Sequence, residues 1–438
     1  MRRTALVLGV VVLAAACQGK DEGKGKGKGK DRDAAPAAVA KPNAGGARDP
    51  QRPPQIQPPL PVTSPPPDAE TITGVEGGPT AVIHIKRLAP GTGPHPQRND
   101  TVSLNFTGWR SSGETFVTTT VRKRPVQQSL ARLAPGFAAA VVSMKQGERA
   151  MMWIPPELGY MGTPEAAPET TIYEVELVDI EAGPPTPPNV GAPPANASRT
   201  ASGAPYEHVS RGTGKAKPRF HDLVTIKYSV WTASGRLVDS TVVTKQPEQT
   251  FVFRKPPAIE EVLRTMVVGD VARVWVPESQ IDVMPPLASG TLTYEVELLA
   301  VRAMTPPPPV PKDVAAPPAD ARKTTRGVFY KQLKAGTGTA TPAPRDRVKV
   351  HYTGWTTDGR LFDSSIVRGE AAVMALDRSL VGLADGLGTM TIGSKARLWV
   401  PVELAYENAP GAPKGMLVFD VDLLDILPPA PSPATKTP

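Results

Sequence analysis

The stretch Val348–Ser365, VKVHYTGWTTDGRLFDSS, decides the fold. Val348, Val350 and Tyr352 alternate with Lys349 and His351, the period-two pattern of a strand with one buried face. The pattern breaks at Asp358-Gly359, where glycine can take the positive φ of a tight turn. Leu361-Phe362-Asp363-Ser364-Ser365 then begins a second strand. A strand, a loop and a returning strand place Tyr352, Phe362 and Asp363 near one another.

The same plan occurs three times. Gly-Thr-Gly stands at Gly91–Gly93, Gly212–Gly214 and Gly336–Gly338, with first glycines 121 and 124 positions apart. From each first glycine a tryptophan follows at 18, 19 and 19 positions (Trp109, Trp231, Trp355). A Trp-(Ile/Val)-Pro follows at 62, 63 and 63 positions, from Trp153, Trp275 and Trp399. Each repeat ends on an acidic-Val-acidic-Leu strand: Glu174–Leu177, Glu295–Leu298 and Asp420–Leu423. This period is too long for a solenoid unit and fits a whole domain, so the chain reads as three tandem domains.

Strand patterns dominate each repeat. They are expected at Thr101–Phe106, Val224–Val230 and Val348–Tyr352, at Arg149–Ile154, Ala272–Val276 and Ala396–Val400, and at Ile172–Ile180, Leu292–Val301 and Leu417–Ile426. Between the last two strands' predecessors lies one short helix, with apolar residues at i, i+4 and i+7: Phe137, Val141, Met144; Ile259, Leu263, Met266; Leu383, Leu387, Met390. An antiparallel sheet packed on one helix is an α+β domain. The tryptophans of the middle strands, Trp153, Trp275 and Trp399, are expected to fill cores.

Proline makes up 52 of the 438 residues and sits in blocks at Pro53–Pro67, Pro184–Pro194 and Pro306–Pro318. Such blocks lack backbone donors and favour extended polyproline II, so they are expected to act as semi-rigid spacers at domain boundaries. The resulting division is 1–16 signal, 17–78 tether, 79–182 first domain, 183–202 linker, 203–303 second domain, 304–321 linker, 322–427 third domain and 428–438 tail.

Arg2 and Arg3 precede a short apolar run, Ala5–Ala16, that ends at Cys17. The run is shorter than the ~20 residues a spanning helix needs. Leu13-Ala14-Ala15-Ala16-Cys17 resembles a bacterial lipoprotein signal, which implies cleavage before Cys17 and lipid attachment there. Cys17 is the sole cysteine, so no intramolecular disulfide can form. The Gly-Lys alternation of Lys20–Asp33 has no apolar face and reads as a solvated tether. The expected place is the bacterial cell envelope, lipid-anchored on the outer membrane and facing the periplasm. The net charge of +8 suits that place, and with no basic base-reading helix nucleic acid is not an expected partner.

The five histidines have no ligand spacing and no phosphate-cradling loop is present, so neither metal nor cofactor is expected. What each repeat supplies is aromatic residues at strand ends and at the helix start. Val348–Ser365 resembles the signature of FKBP-type peptidyl-prolyl cis-trans isomerases, which carry a YTG…DG…FDSS run. The resemblance continues through Leu398-Trp399-Val400-Pro401, Glu403-Leu404-Ala405-Tyr406 and Leu417-Val418-Phe419-Asp420-Val421. It implies a five-stranded sheet half-wrapped around the helix, and an apolar cleft that isomerises X–Pro bonds of envelope proteins. The alternative is a non-catalytic peptide-binding chaperone or spacer lipoprotein.

Carried over residue by residue, the resemblance makes Tyr352, Phe362, Asp363, Tyr406 and Phe419 the catalytic cleft of the third domain, with Arg368, Leu380 and Leu383 around the substrate. Leu383 stands where many members have tryptophan, Glu407 where glycine is usual, and Ala412-Pro413-Lys414 where Ile-Pro-Pro is usual. The first domain keeps Phe106, Phe116, Phe137, Tyr160 and Tyr173, implying a site that binds prolyl peptides, but has Val117 for the aspartate. The second keeps Tyr228, Asp239 and Tyr294, with Val238 for phenylalanine, Ile259 at the helix start and Asp282 at the tyrosine position. It is expected to be inactive, because a charge opposes a dry pocket.

Overall fold

A computed structural model describes residues 63–76, 80–119, 124–159, 169–281 and 289–429. Cys17, the tether up to residue 62, Tyr160, Asp282 and the tail beyond residue 429 lie outside them, whereas Glu70–Ile72 at the end of the tether pairs with Ile83–Ala89 and belongs to the first sheet. Three antiparallel sheets follow one another along the chain, each with the same strand order. In the third the order is Arg322–Lys323, Phe329–Lys334, Lys395–Val400, Leu417–Leu427, Arg347–Thr356 and Leu361–Ser364, with Ala372–Ala375 also on Arg347–Thr356. The fold is therefore α+β and threefold, with seven strands in each sheet rather than the five the resemblance implies. Thr101–Trp109, Leu223–Thr232 and Arg347–Thr356 run two to four residues past the end of their sequence patterns, while the middle and last strands match theirs to within one residue at each end. Arg347–Thr356 pairs with Leu417–Leu427 over its whole length, from Arg347 opposite Leu427 to Thr356 opposite Leu417.

Alternation does what the sequence says over the first half of that strand: Val348, Val350 and Tyr352 are buried while Lys349 is exposed. The inward face packs on the helix Val381–Leu387, whose Leu383 and Leu387, with Met390 beyond it, join one core with Leu398, Phe419 and Leu423. The helices Pro135–Val142 and Pro257–Leu263 seat Phe137, Val141, Ile259 and Leu263 in the same way. Both open on proline, whose fixed φ suits the first helical position.

From Thr353 onward the strand is buried on both faces. Trp355 and Trp399 lie on the face away from the helix, in a cluster with Val418, with Val314 of the linker and with Phe251 and Phe253 of the second domain. The blocks Pro184–Pro194 and Pro306–Pro318 are thus not free spacers. Trp275 Nε1 donates to the carbonyl of Asn189 at 2.9 Å, and Thr293 Oγ1 to that of Val190 at 2.7 Å. Trp399 Nε1 donates to the carbonyl of Asp313 at 3.0 Å, and Arg397 pairs with the Asp313 carboxylate. The reason is complementary: an extended proline-rich segment has few N–H groups but keeps its carbonyls, and a tryptophan-bearing sheet face needs covering and an acceptor.

Candidate functional site

The FDSS run builds one corner of the candidate site residue by residue. Ser365 Oγ accepts the backbone N–H of Tyr352 at 2.8 Å, satisfying the strand where the ladder turns away. Ser364 Oγ lies 2.8 Å from Thr353 Oγ1 and caps the short helix Ser365–Arg368 by accepting from Val367 N. That helix ends at Gly369 with φ 81, which glycine adopts without strain. Its last residue, Arg368, is thereby aimed back at the strand. Its guanidinium donates to Asp363 and, at 3.0 Å, to the Tyr352 hydroxyl, lying 5.4 Å from the Tyr352 ring centre. The Tyr352 hydroxyl in turn donates to the other oxygen of Asp363. Burial, then the Asp363 charge, raises the Tyr352 phenol above its ordinary pKa, so it stays a donor. Burial opposes the Arg368 charge, and Asp363 and Tyr352 outweigh it.

The walls are apolar. Phe362 meets Phe419 edge-on at 5.5 Å between centroids, and Phe419 is 2% exposed. Gly354 makes this possible: a Cβ there would stand 2.5 Å from the Phe362 ring. Leu383 is buried, and Leu380, the residue before the helix, is half-buried against the same core. Tyr406 packs on that core from the far side, its phenol pKa raised by burial and then by Asp363. Glu407 and Asn408 take φ of 49° and 58°, which explains why glycine is usual after the tyrosine. The altered rim is tied down by Lys414 Nζ, which donates to the carbonyls of Asn408 at 3.0 Å and Ala409 at 2.7 Å.

The first domain repeats the frame with more aromatics, and Val117 stands where the third domain has Asp363. Phe137 lies 4.8 Å from Tyr173 and 5.8 Å from Phe106, while Phe116 lies 5.7 Å from Tyr173, all edge-on. Phe116 is 43% exposed, with the Arg110 guanidinium 5.9 Å from its ring centre. Gly108 again leaves room, since a Cβ would meet Tyr173 at 2.8 Å and Phe116 at 3.0 Å.

In the second domain that glycine is Val230, opposite Asp239, and Val238 replaces the phenylalanine. The two changes are one: without the ring there is space for a side chain on the strand. Tyr228 still donates to Asp239 at 2.8 Å, but Lys255 Nζ lies 5.3 Å from the Tyr228 ring centre and pairs with Glu248 at 2.6 Å. Tyr294 is pushed up to about 12 by burial and by the charges of Asp239 and Glu248. An ion pair thus sits beside the aromatics where the third domain has Ala372 at the start of the matching strand.

The sequence reading missed two features. One is this Lys255–Glu248 pair. The other is Arg254 of the second domain, whose Nη2 donates to Asp363 of the third at 3.0 Å, just as Arg132 of the first reaches Asp239 of the second at 2.9 Å. A signal was available: Arg132, Arg254 and Arg378 stand 41, 42 and 42 positions after the first glycine of their repeats.

Comparison with known proteins agrees with this geometry. The family model described as FKBP-type peptidyl-prolyl cis-trans isomerase matches residues 93–178 and 338–424. The chain is 46% identical over 112 residues to the FKBP-type peptidyl-prolyl cis-trans isomerase FkpA of Aeromonas hydrophila, covering 25% of this chain and 41% of that one. It is 45% identical over 108 residues to an FKBP-type 22 kDa peptidyl-prolyl cis-trans isomerase of Escherichia coli (strain K12), covering 24% and 52%. The chain thus spans about half the length of these relatives or less. A peptidyl-prolyl cis-trans isomerase of Schizosaccharomyces pombe is matched almost throughout, 37% identical over 106 residues, 95% of its length and 23% of this chain. With the repeated sheet, the Tyr–Asp–Arg corner and the aromatic walls, these matches show that the chain belongs to the FKBP-type peptidyl-prolyl cis-trans isomerase family.

Proposed function

We propose that the chain isomerises X–Pro peptide bonds, chiefly in the cleft of the third domain. Rotation about the bond is slow because resonance gives it partial double-bond character, a barrier of ~18–20 kcal/mol. Resonance charges the oxygen and nitrogen, so water stabilises the planar amide more than the twisted one. A cleft walled by Phe362, Phe419, Leu380 and Leu383 withholds that water. Tyr406 offers a hydroxyl to fix an adjoining carbonyl. Tyr352, Asp363 and Arg368 position the wall by locking the strand pair to the short helix. Each ~1.4 kcal/mol removed from the barrier gives a tenfold rate gain, and this chemistry moves no proton and uses no cofactor.

The observation that carries the reading is the coexistence, found among the described residues in the third domain alone, of the complete ionic corner with the Phe362–Phe419 wall. The test is a proline-isomerisation assay on the full chain. Turnover that is lost with Phe362→Ala supports the reading, and turnover that is indifferent to it sinks the assignment. A second reading, peptide binding without turnover, is favoured for the second domain by its Lys255–Glu248 pair, and for the first by an aromatic box without the ionic corner. The substrates in this proposal are unfolded proteins of the cell envelope, with the chain held at the outer membrane through lipid on Cys17. Cys17→Ser should release the protein from the membrane fraction or leave its leader uncleaved; fractionation like that of the parent chain would overturn the anchor.

A further inference from the structure

Arg254 closes the 3-10 turn Val252–Arg254 of the second domain, yet its guanidinium reaches Asp363 of the third domain, beside Arg368 and Tyr352. It is held there firmly. The guanidinium lies 5.5 Å and 6.0 Å from the ring centres of Phe251 and Phe253, which stack on each other at 5.3 Å. Both rings are buried in the cluster that joins the two domains through Trp355, Leu361 and Trp399. Arg360 of the third domain adds a bond back to the carbonyl of Lys255 at 3.3 Å.

Its charge is surplus. Asp363 already has Arg368, so two guanidinium groups face one carboxylate. At the preceding junction Arg132 is the one cation paired with Asp239 among the described residues, with Thr244 where the third domain has Arg368. One arginine is therefore enough to join two domains. Arg254 spends one N–H on Asp363, and no hydrogen-bond partner of its Nε or Nη1 is found among the described residues. Its field reaches across the cleft, where it opposes the upward shift of the Tyr406 phenol.

We infer that Arg254, supplied by the second domain, is a specificity-determining residue of the third domain's cleft and selects prolines adjoined by an acidic side chain. A carboxylate beside the proline would take the unused donors in a charge-assisted pair. The inference rests on the isomerase reading for its kinetic form only.

The test uses the full chain and three peptides, Leu-Pro-Phe, Glu-Pro-Phe and Leu-Pro-Glu, in matched flanks. For Arg254→Gln, which can still hydrogen-bond Asp363, the better acidic-to-neutral ratio of kcat/KM should fall about tenfold, the scale of one lost charge-assisted bond. Arg254→Lys should restore much of that ratio, and added salt should lower it in the parent chain. A loss that is equal for all three peptides, or no change in either ratio, would make Arg254 a domain clamp and overturn the inference. If the parent chain isomerises none of the peptides, the isomerase reading fails. Fluorescence anisotropy of the same labelled peptides then decides Arg254 by the same ratio, now of dissociation constants.

Discussion

Trp399 donates its indole N–H to the backbone carbonyl of Asp313 at 3.0 Å, so a proline-rich segment that looks like a spacer is bound to the domain after it. Trp275 and Asn189 repeat the relationship at 2.9 Å. Limited proteolysis of the full chain should therefore spare residues 183–202 and 304–321 at the earliest times. Trp399→Phe keeps the apolar cover but loses the hydrogen bond, worth ~1 kcal/mol. Amide exchange around Asp313 should accelerate in that variant, and early cleavage of both linkers in the parent chain would refute the docking.

Two variants should rank the cleft's parts. Tyr406→Phe removes one hydroxyl and should lower isomerisation about fivefold, or ~1 kcal/mol. Phe362→Ala removes a half-buried ring from the face of Phe419 and admits water, and should lower it more, by roughly ~2 kcal/mol. Neither adds a charge, so circular dichroism should match the parent. The reverse order of turnover would move the working surface away from Phe362.

Glu407 holds a positive φ of 49° that costs a residue with a Cβ about 1 kcal/mol. Glu407→Gly should raise the urea midpoint of the third domain only slightly, because the ~1 kcal/mol of relieved strain is offset in part by the ~0.5–1 kcal/mol of entropy glycine loses on folding. A lower midpoint would mean that the carboxylate contributes more than the backbone loses.

The second domain should be acid-sensitive through two imidazoles. Burial, then Arg219, lowers the pKa of His221 from 6.5, with Asp222 opposing from 4.0 Å, and neither ring nitrogen has a hydrogen-bond partner among the described residues. Burial, then Arg211, lowers His208, with Asp270 opposing and Lys217 adding to the fall. The unfolded chain then binds more protons than the folded one below the ordinary pKa, so stability is full above it and falls as pH drops through it. Urea midpoints should decline between about pH 7.5 and 5.5, and His221→Phe, which lies against Phe220, should flatten the decline. An equal decline in that variant would exclude His221.

Most of the frame was legible from the sequence. Strand alternation through Val348, Val350 and Tyr352, the Asp358-Gly359 turn and the stripe of Leu383, Leu387 and Met390 are local patterns, and burial of one face follows from them. The nearness of Tyr352 and Asp363 followed from the strand, loop and returning strand, but Arg368 entered only through the resemblance, and its pairing with both needed the short helix after FDSS, which fixes where it points. The meaning of Gly354 against Val230 could be read only once the Phe362 ring was seen to lie over the strand.

The sequence by itself determined three repeats and their α+β plan, because these depend on periodicity and spacing within about a hundred residues. Only the tertiary structure decided what lies between repeats: that the proline blocks cover tryptophan faces, and that Arg132 and Arg254 cross to the aspartate of the next domain. Those contacts join residues 107 and 109 positions apart, across two separately folded sheets. No local pattern encodes such a distance. It is set by how two apolar faces, Phe251 and Phe253 on one domain and Trp355 and Leu361 on the next, leave water together.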